Sequence, residues 1–355
     1  MKKKIVALAV AAAFTTPAFA DNANVTVYGK AFLNIESARS DKVATATTSK
    51  SLTRVNNNAS RFGVKGSEDL GEGLKGLYQF EVQMDADGSG AASATKNGGF
   101  GNGTRNSGVG IEGGFGKVIV GIWDTPFKVA HNKIELFDNT TSFTSLNLIG
   151  QASTTGSSSA ATNFNTRQMN AIQYWTPSVS GFQGALAYSP AEDQTTTVNK
   201  TRLSVSGTFE HEDIYVSAAY ESRPDVAAAG KTDTAMRLVG KYSLADLWLG
   251  ATVESIKFNS SATVNYTQSN IELAGQYKMG PHKVAASFAK AGKTNVAATG
   301  ATQLSLRYGF DFSKRTEAFA AYTSLKNDTA GIYGFYGTTA GSTQSVLGAG
   351  VVHSF

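Results

Sequence analysis

Apolar and polar positions alternate along most of this chain, in segments of about ten residues separated by clusters of turn-forming residues. In the first segment Val25, Val27, Gly29, Ala31, Leu33 and Ile35 share one face. Thr26, Tyr28, Lys30, Asn34 and Glu36 share the other, with Phe32 as the exception. The split recurs in Gly76/Tyr78/Phe80/Val82 against Lys75/Gln79/Glu81/Gln83, and in Leu203/Val205/Gly207/Phe209 against Arg202/Ser204/Ser206/Thr208. It recurs again in Leu304/Leu306/Tyr308/Phe310 against Ser305/Arg307/Gly309. Period two over many segments predicts β-strands with one apolar and one polar face.

The connections alternate between tight and long. Tight ones fall at 68–72, 113–116, 177–181, 210–212, 243–246, 278–281 and 311–314. Long ones, rich in Gly, Ser, Thr, Asn and Ala, fall at 39–56, 85–103, 125–166, 191–199, 225–231, 259–265, 292–300 and 327–343. Together they join sixteen predicted strands, an even number that lets the last, 344–355, close against the first. Short turns on one side and long loops on the other predict an all-β, sixteen-stranded antiparallel transmembrane barrel. A stack of soluble sandwiches also has short alternating strands. Lone Lys, Arg, Glu and Gln at mid-strand suit a wet lumen instead, and Tyr and Phe near strand ends suit an interfacial girdle.

Composition changes this picture at one end only. Lys2, Lys3 and Lys4 precede an apolar run over 5–14 and a small-x-small site at Ala18-Phe19-Ala20, which together read as a cleaved secretory signal peptide. The mature chain then begins at Asp21 and has 335 residues, 355 less 20. Removing three lysines and no acids takes the formal charge from +5 to +2. No basic block remains that would argue for nucleic acid. There is no cysteine, so an exported chain of this sequence is stabilised by hydrogen bonding and packing alone. No later stretch approaches the roughly 20 apolar residues of a membrane helix.

Four segments resemble the Gram-negative general porin family, in particular its β-proteobacterial branch. They are VTVYGKA at 25–31, SRFGVKGSEDLGEGLKGLYQFE at 60–81, SGVGIEGGFGKVIVGIWDTPF at 107–127 and the ending GVVHSF at 350–355. LRYGFDFSKRTEAFAAYTSLKND at 306–328 is similar as well. The resemblance implies a passive outer-membrane diffusion pore for ions and small hydrophilic solutes, neither an enzyme nor dependent on a cofactor. It also implies a homotrimer surrounded by outer-membrane lipids and lipopolysaccharide.

In that family the third long loop folds into the barrel, so that its acids face a basic wall. Here the resemblance points to loop 125–166, the longest, with Glu135 and Asp138 as its acids and Asp124 at its root. Opposite, it points to Lys30, Arg61 and Arg167. Alternation agrees: Lys30 shares a face with Asn34 and Glu36, Arg61 is out of phase with Phe62 and Val64, and Arg167 is in phase with Gln173. Opposed charge rows across a narrow aqueous gap favour polar solutes, and a surplus of one sign sets ion preference. Two departures bear on that preference. Ile122 follows Gly121 where the family usually has Arg, and Val352 stands where its ending commonly carries Arg. The terminal Phe355, with Val351, Ala349 and Leu347 on its side, resembles the signal read by the barrel-assembly machinery.

Other chemistry is weakly supported. Asp85-Ala86-Asp87-Gly88-Ser89-Gly90 starts like a calcium loop, but Lys96 stands where a bidentate Glu is required. The four histidines, at 131, 211, 282 and 353, show no metal-ligand spacing. No G-x-S-x-G elbow stands out for an outer-membrane hydrolase. The competing readings are a barrel-anchored adhesin or receptor, an outer-membrane enzyme, and a solute-specific porin.

Overall fold

The computed structural model describes residues 24–43, 50–87, 100–138, 140–151, 163–259, 265–336 and 339–355. The expected signal segment 1–20 and Lys96 lie outside them. In chain order the strands are β1 (Asn24–Ser40), β2 (Ser51–Asn57), β3 (Arg61–Gly71), β4 (Leu74–Met84), β5 (Phe100–Thr104), β6 (Ser107–Gly113) and β7 (Gly116–Asp124). After the short helix α1 (Pro126–His131) come β8 (Arg167–Trp175), β9 (Phe182–Ser189), β10 (Arg202–His211), β11 (Ile214–Pro224), β12 (Thr232–Leu244) and β13 (Leu247–Asn259). The last five are β14 (Asn265–Met279), β15 (His282–Ala291), β16 (Ala301–Asp311), β17 (Thr316–Asn327) and β18 (Thr343–Ser354).

These eighteen segments make sixteen barrel strands. β2 and β3 both pair with β1 and are one strand broken at residues 58–60, and β5 and β6 both pair with β4 and are one strand broken at 105–106. Every pairing is antiparallel, and β1 closes the barrel on β18, in register from Lys30 opposite Ser354 to Ser40 opposite Gln344. Closure removes the unpaired edges that an open sheet of this size would carry.

The strand faces follow the alternation. Val25 and Ile35 are 61% and 62% exposed, whereas Glu36 beside them is 1% exposed. The apolar row therefore points outward and the polar row inward. One expected connection is shorter than composition suggests: β1 runs on to Ser40 and β2 begins at Ser51, so much of 39–56 is strand. Ladder pairing to β18 and the Arg54–Glu36 ion pair at 2.5 Å hold these Ser- and Thr-rich ends extended.

The buried apolar contacts lie between the inner wall and the segment after β7. Phe127, Ala130 and Phe164 pack on Ala219, Ala235 and Ile256, while Leu146, Leu148 and Ile149 pack on Ala289, Ala301 and Leu325. Phe137 and Phe143 meet Phe32, Phe319 and Val346, and Ile134 meets Tyr215 and Val239. Phe32, the exception to the alternation, is 1% exposed and is part of this seat.

Candidate functional site

Three interruptions in the ladder adjoin charged residues that line one cavity. At the first, Ala59 has a positive φ of 51°, and the Phe32 amide donates to Ser60 Oγ (2.9 Å) in place of a strand partner. Arg61 follows directly. At the second, the Glu81 amide donates to Ser107 Oγ (3.0 Å) in place of a strand partner, while the Arg105 amide still donates to Glu81 O (2.9 Å). A third register shift lies between Gly121 and Trp123, opposite Asn170 with φ 54°. Bulges re-aim side chains that a regular pleat would turn elsewhere.

These irregularities surround a cavity of about 810 Å³. Among the described residues six cations line it: Lys30, Arg61, Arg105, Lys128, Arg167 and Arg307. Five carboxyl groups line it as well: Glu81, Asp124, Glu135, Asp138 and Glu317. Lys30 is ion-paired with Asp138. Glu81 takes Arg105 at 2.5 Å and Arg61 at 3.9 Å, and Asp124 takes Lys128 at 2.7 Å and Arg167 at 3.2 Å. Glu317 takes Arg307 at 2.5 Å.

Segment 125–166 meets the polar face of the wall at many points. Its helix starts on Thr125, whose Oγ1 accepts from the Lys128 amide (3.2 Å), with Pro126 in the first turn. Arg237 donates to Phe127 O (3.3 Å) and Asn165 Oδ1 (2.9 Å), and Arg223 donates to Asn163 O (2.7 Å) and Thr166 Oγ1 (3.0 Å). Glu254 accepts from the Gly150 amide (2.5 Å), His131 Nε2 lies 2.6 Å from Glu272, and Ser142 donates to Glu36 (3.1 Å).

The expected residues are thus placed as follows. Lys30, Arg61, Arg167, Glu135 and Asp138 all line the one cavity, but only Asp138 of the two loop acids meets the basic wall. Glu135 turns back into its own loop, accepting from the Phe137 amide (2.9 Å) and Thr144 Oγ1 (2.8 Å), with His131 at 3.9 Å. Burial pushes its carboxyl above the ordinary carboxylate value. For Asp138 burial acts in the same direction, but Lys30, with Arg61 and Arg105 further off, brings it below that value. Phe355 lies apart from the cavity, where its backbone exchanges hydrogen bonds of 3.0 and 3.1 Å with Gly29 and its ring fills the space a Cβ there would take.

The chain matches the family model described as Gram-negative porin over residues 7–330. It belongs to the Gram-negative porin family. Outer membrane porin protein 32 of Delftia acidovorans is 28% identical over all of both chains, and major outer membrane protein P.IB of Neisseria lactamica is 26% identical, also over all of both. Among solved structures, an anion-selective porin from Comamonas acidovorans superposes with a TM-score of 0.80 at 22% identity, covering 94% of this chain and 100% of that one. A Salmonella typhi OmpF complex superposes at 0.66 with 16% identity, over 93% and 97%. The protein is a passive diffusion channel of the bacterial outer membrane, and its family and fold are those of channel proteins.

Sequence reading missed three of the porin's six cavity cations. Arg307 was visible, since it alternates with Leu306 and Tyr308 on the polar face. Arg105 was not, because it stands at a strand break just past the expected loop 85–103. Lys128 follows from the helical turn after Asp124, an i, i+4 pair in a segment expected to be loop.

Proposed function

We propose that segment 125–166, seated on the inner wall, narrows this porin's channel to a charged gap that favours small anions. Asp138 stands on the loop side, and Lys30, Arg61 and Arg167 stand on the wall with Arg105 and Arg307 beside them. The carrying observation is the charge inventory of the cavity. Among the described residues, six cations meet five carboxyl groups. A solute thus meets more cationic than anionic surface, in spite of the uncharged Ile122 and Val352. A homotrimer fits as well: a Vibrio cholerae relative in fold is described in a trimer form, at TM-score 0.65 and 16% identity.

The test is the zero-current potential of the purified porin in a planar bilayer under a potassium chloride gradient. An anion-preferring sign is expected, moving toward neutrality in Arg61→Ala and in Lys30→Ala. A cation-preferring sign in the wild type would contradict the proposal.

A further inference from the structure

The lumen wall holds a second cavity, of about 320 Å³, on the short-turn side of the first. Its floor is bare backbone. Gly108 and Gly110 on β6 face inward in register with Gln79 of β4 and Ile119 of β7, so two consecutive inward positions carry no side chain. A Cβ at either glycine would run into a carbonyl of the neighbouring strand, at Val120 or Val118, so neither position accepts a side chain without moving that strand. Beside it stand Ile119, 4% exposed, and Trp123. The niche therefore sets an indole and an aliphatic side chain beside bare backbone.

Two lysines line the same niche, Lys65 from β3 and Lys117 from β7. Their situation differs from that of the constriction cations. Lys30, Arg105, Lys128, Arg167 and Arg307 each hold a carboxylate. Lys65 and Lys117 form no ion pair among the described residues; the Lys65 ammonium instead lies 5.1 Å from the centre of the Tyr28 ring. Among the described residues the one carboxylate lining the niche is Glu112, across the ladder from Lys117, which leaves one positive charge in excess there.

We propose that this niche is a binding site for small aromatic carboxylates. A ring lying against Trp123 and Ile119 would gain apolar and aromatic contact over the glycine floor. Its carboxylate would reach Lys65 or Lys117, where a charge-assisted hydrogen bond is open because no protein acid occupies it. The volume falls within the roughly 300–1,000 Å³ of small-molecule sites. The inference rests on the channel reading, since a solute reaches this wall only through the lumen, and it assigns the channel a preferred class of anion.

The experiment titrates potassium benzoate into a bilayer carrying a steady potassium chloride current, with potassium acetate as the ringless control. Benzoate is expected to reduce the current saturably, and acetate at the same concentrations is not. Trp123→Leu is expected to raise the half-blocking concentration about fivefold or more. Lys117→Gln should raise it too, which keeps the test independent of whether the Trp123 variant folds. Benzoate and acetate acting alike, or both variants titrating like the wild type, would overturn the niche while leaving the channel intact. Loss of the chloride current from folded wild-type protein would overturn the channel reading and the niche with it.

Discussion

Arg237 on β12 and Glu254 on β13 form an ion pair of 2.8 Å with both side chains fully buried, and each also holds the segment that follows β7. Burying two charges is costly, and removing one partner strands the other, at about 3–5 kcal/mol. The pair therefore acts as a clamp between wall and loop. Glu254→Ala is expected to leave the barrel ladder intact while loosening the loop. Limited proteolysis would then cut within 125–166 at a protease concentration that spares the wild type, and the open-channel current would become noisier. Unchanged cleavage would show that the remaining polar contacts and the apolar seats hold the loop without this pair.

Asp138 neutralises Lys30. Asp138→Asn is expected to free that ammonium and move the zero-current potential further toward anions, and Lys30→Ala to move it the opposite way. The double variant measures their coupling, since neighbouring charges do not contribute additively.

The two loop acids respond to pH with opposite signs. Asp138 lies below its ordinary value, so its contribution to holding the loop is present above about pH 3.9 and is lost as pH falls through its folded value. Glu135 lies above its ordinary value, so its contribution is full below about pH 4.3 and is lost as pH rises through its folded value. Glu135→Gln is therefore expected to make the loop more protease-resistant at pH 7 and to change little at pH 4. Greater susceptibility at pH 7 would mean that the charged form is the one the loop requires.

Phe355 and Gly29 are bound through both backbone groups, with the ring seated where a Cβ would be. If the aromatic terminus is the mark of barrel assembly, Phe355→Ala should lower the heat-modifiable, folded fraction recovered from membranes. Gly29→Val should do the same by evicting the ring. Normal yields from both variants would leave Phe355 without a role in assembly.

Most of the barrel was legible because its rule is strictly local. Successive side chains point to opposite faces, so Lys30 and Arg61 could be placed in the lumen from their neighbours alone. The loop follows no such rule. Glu135 and Asp138 are three residues apart, and which carboxyl meets the wall depends on turns that satisfy Glu135 with Thr144 and the Phe137 amide. One local sign was present: Phe32 breaks the polar row of β1 because Phe137 and Phe143 pack against it. Apolar residues in lumen phase mark where something will be seated, without saying what. Arg105 was hidden by the opposite effect, since a strand break removes the period that would have placed it.

The proposed narrowing by the loop has one direct test, made convenient by the absence of native cysteine. Asp138→Cys supplies a single thiol at the gap, and single-channel current is recorded before and after a bulky cationic methanethiosulfonate reagent is added. The unit conductance is expected to fall on labelling, because Asp138 is ion-paired with Lys30 of the wall inside the charged cavity. Complete labelling by mass with an unchanged unit conductance would contradict it.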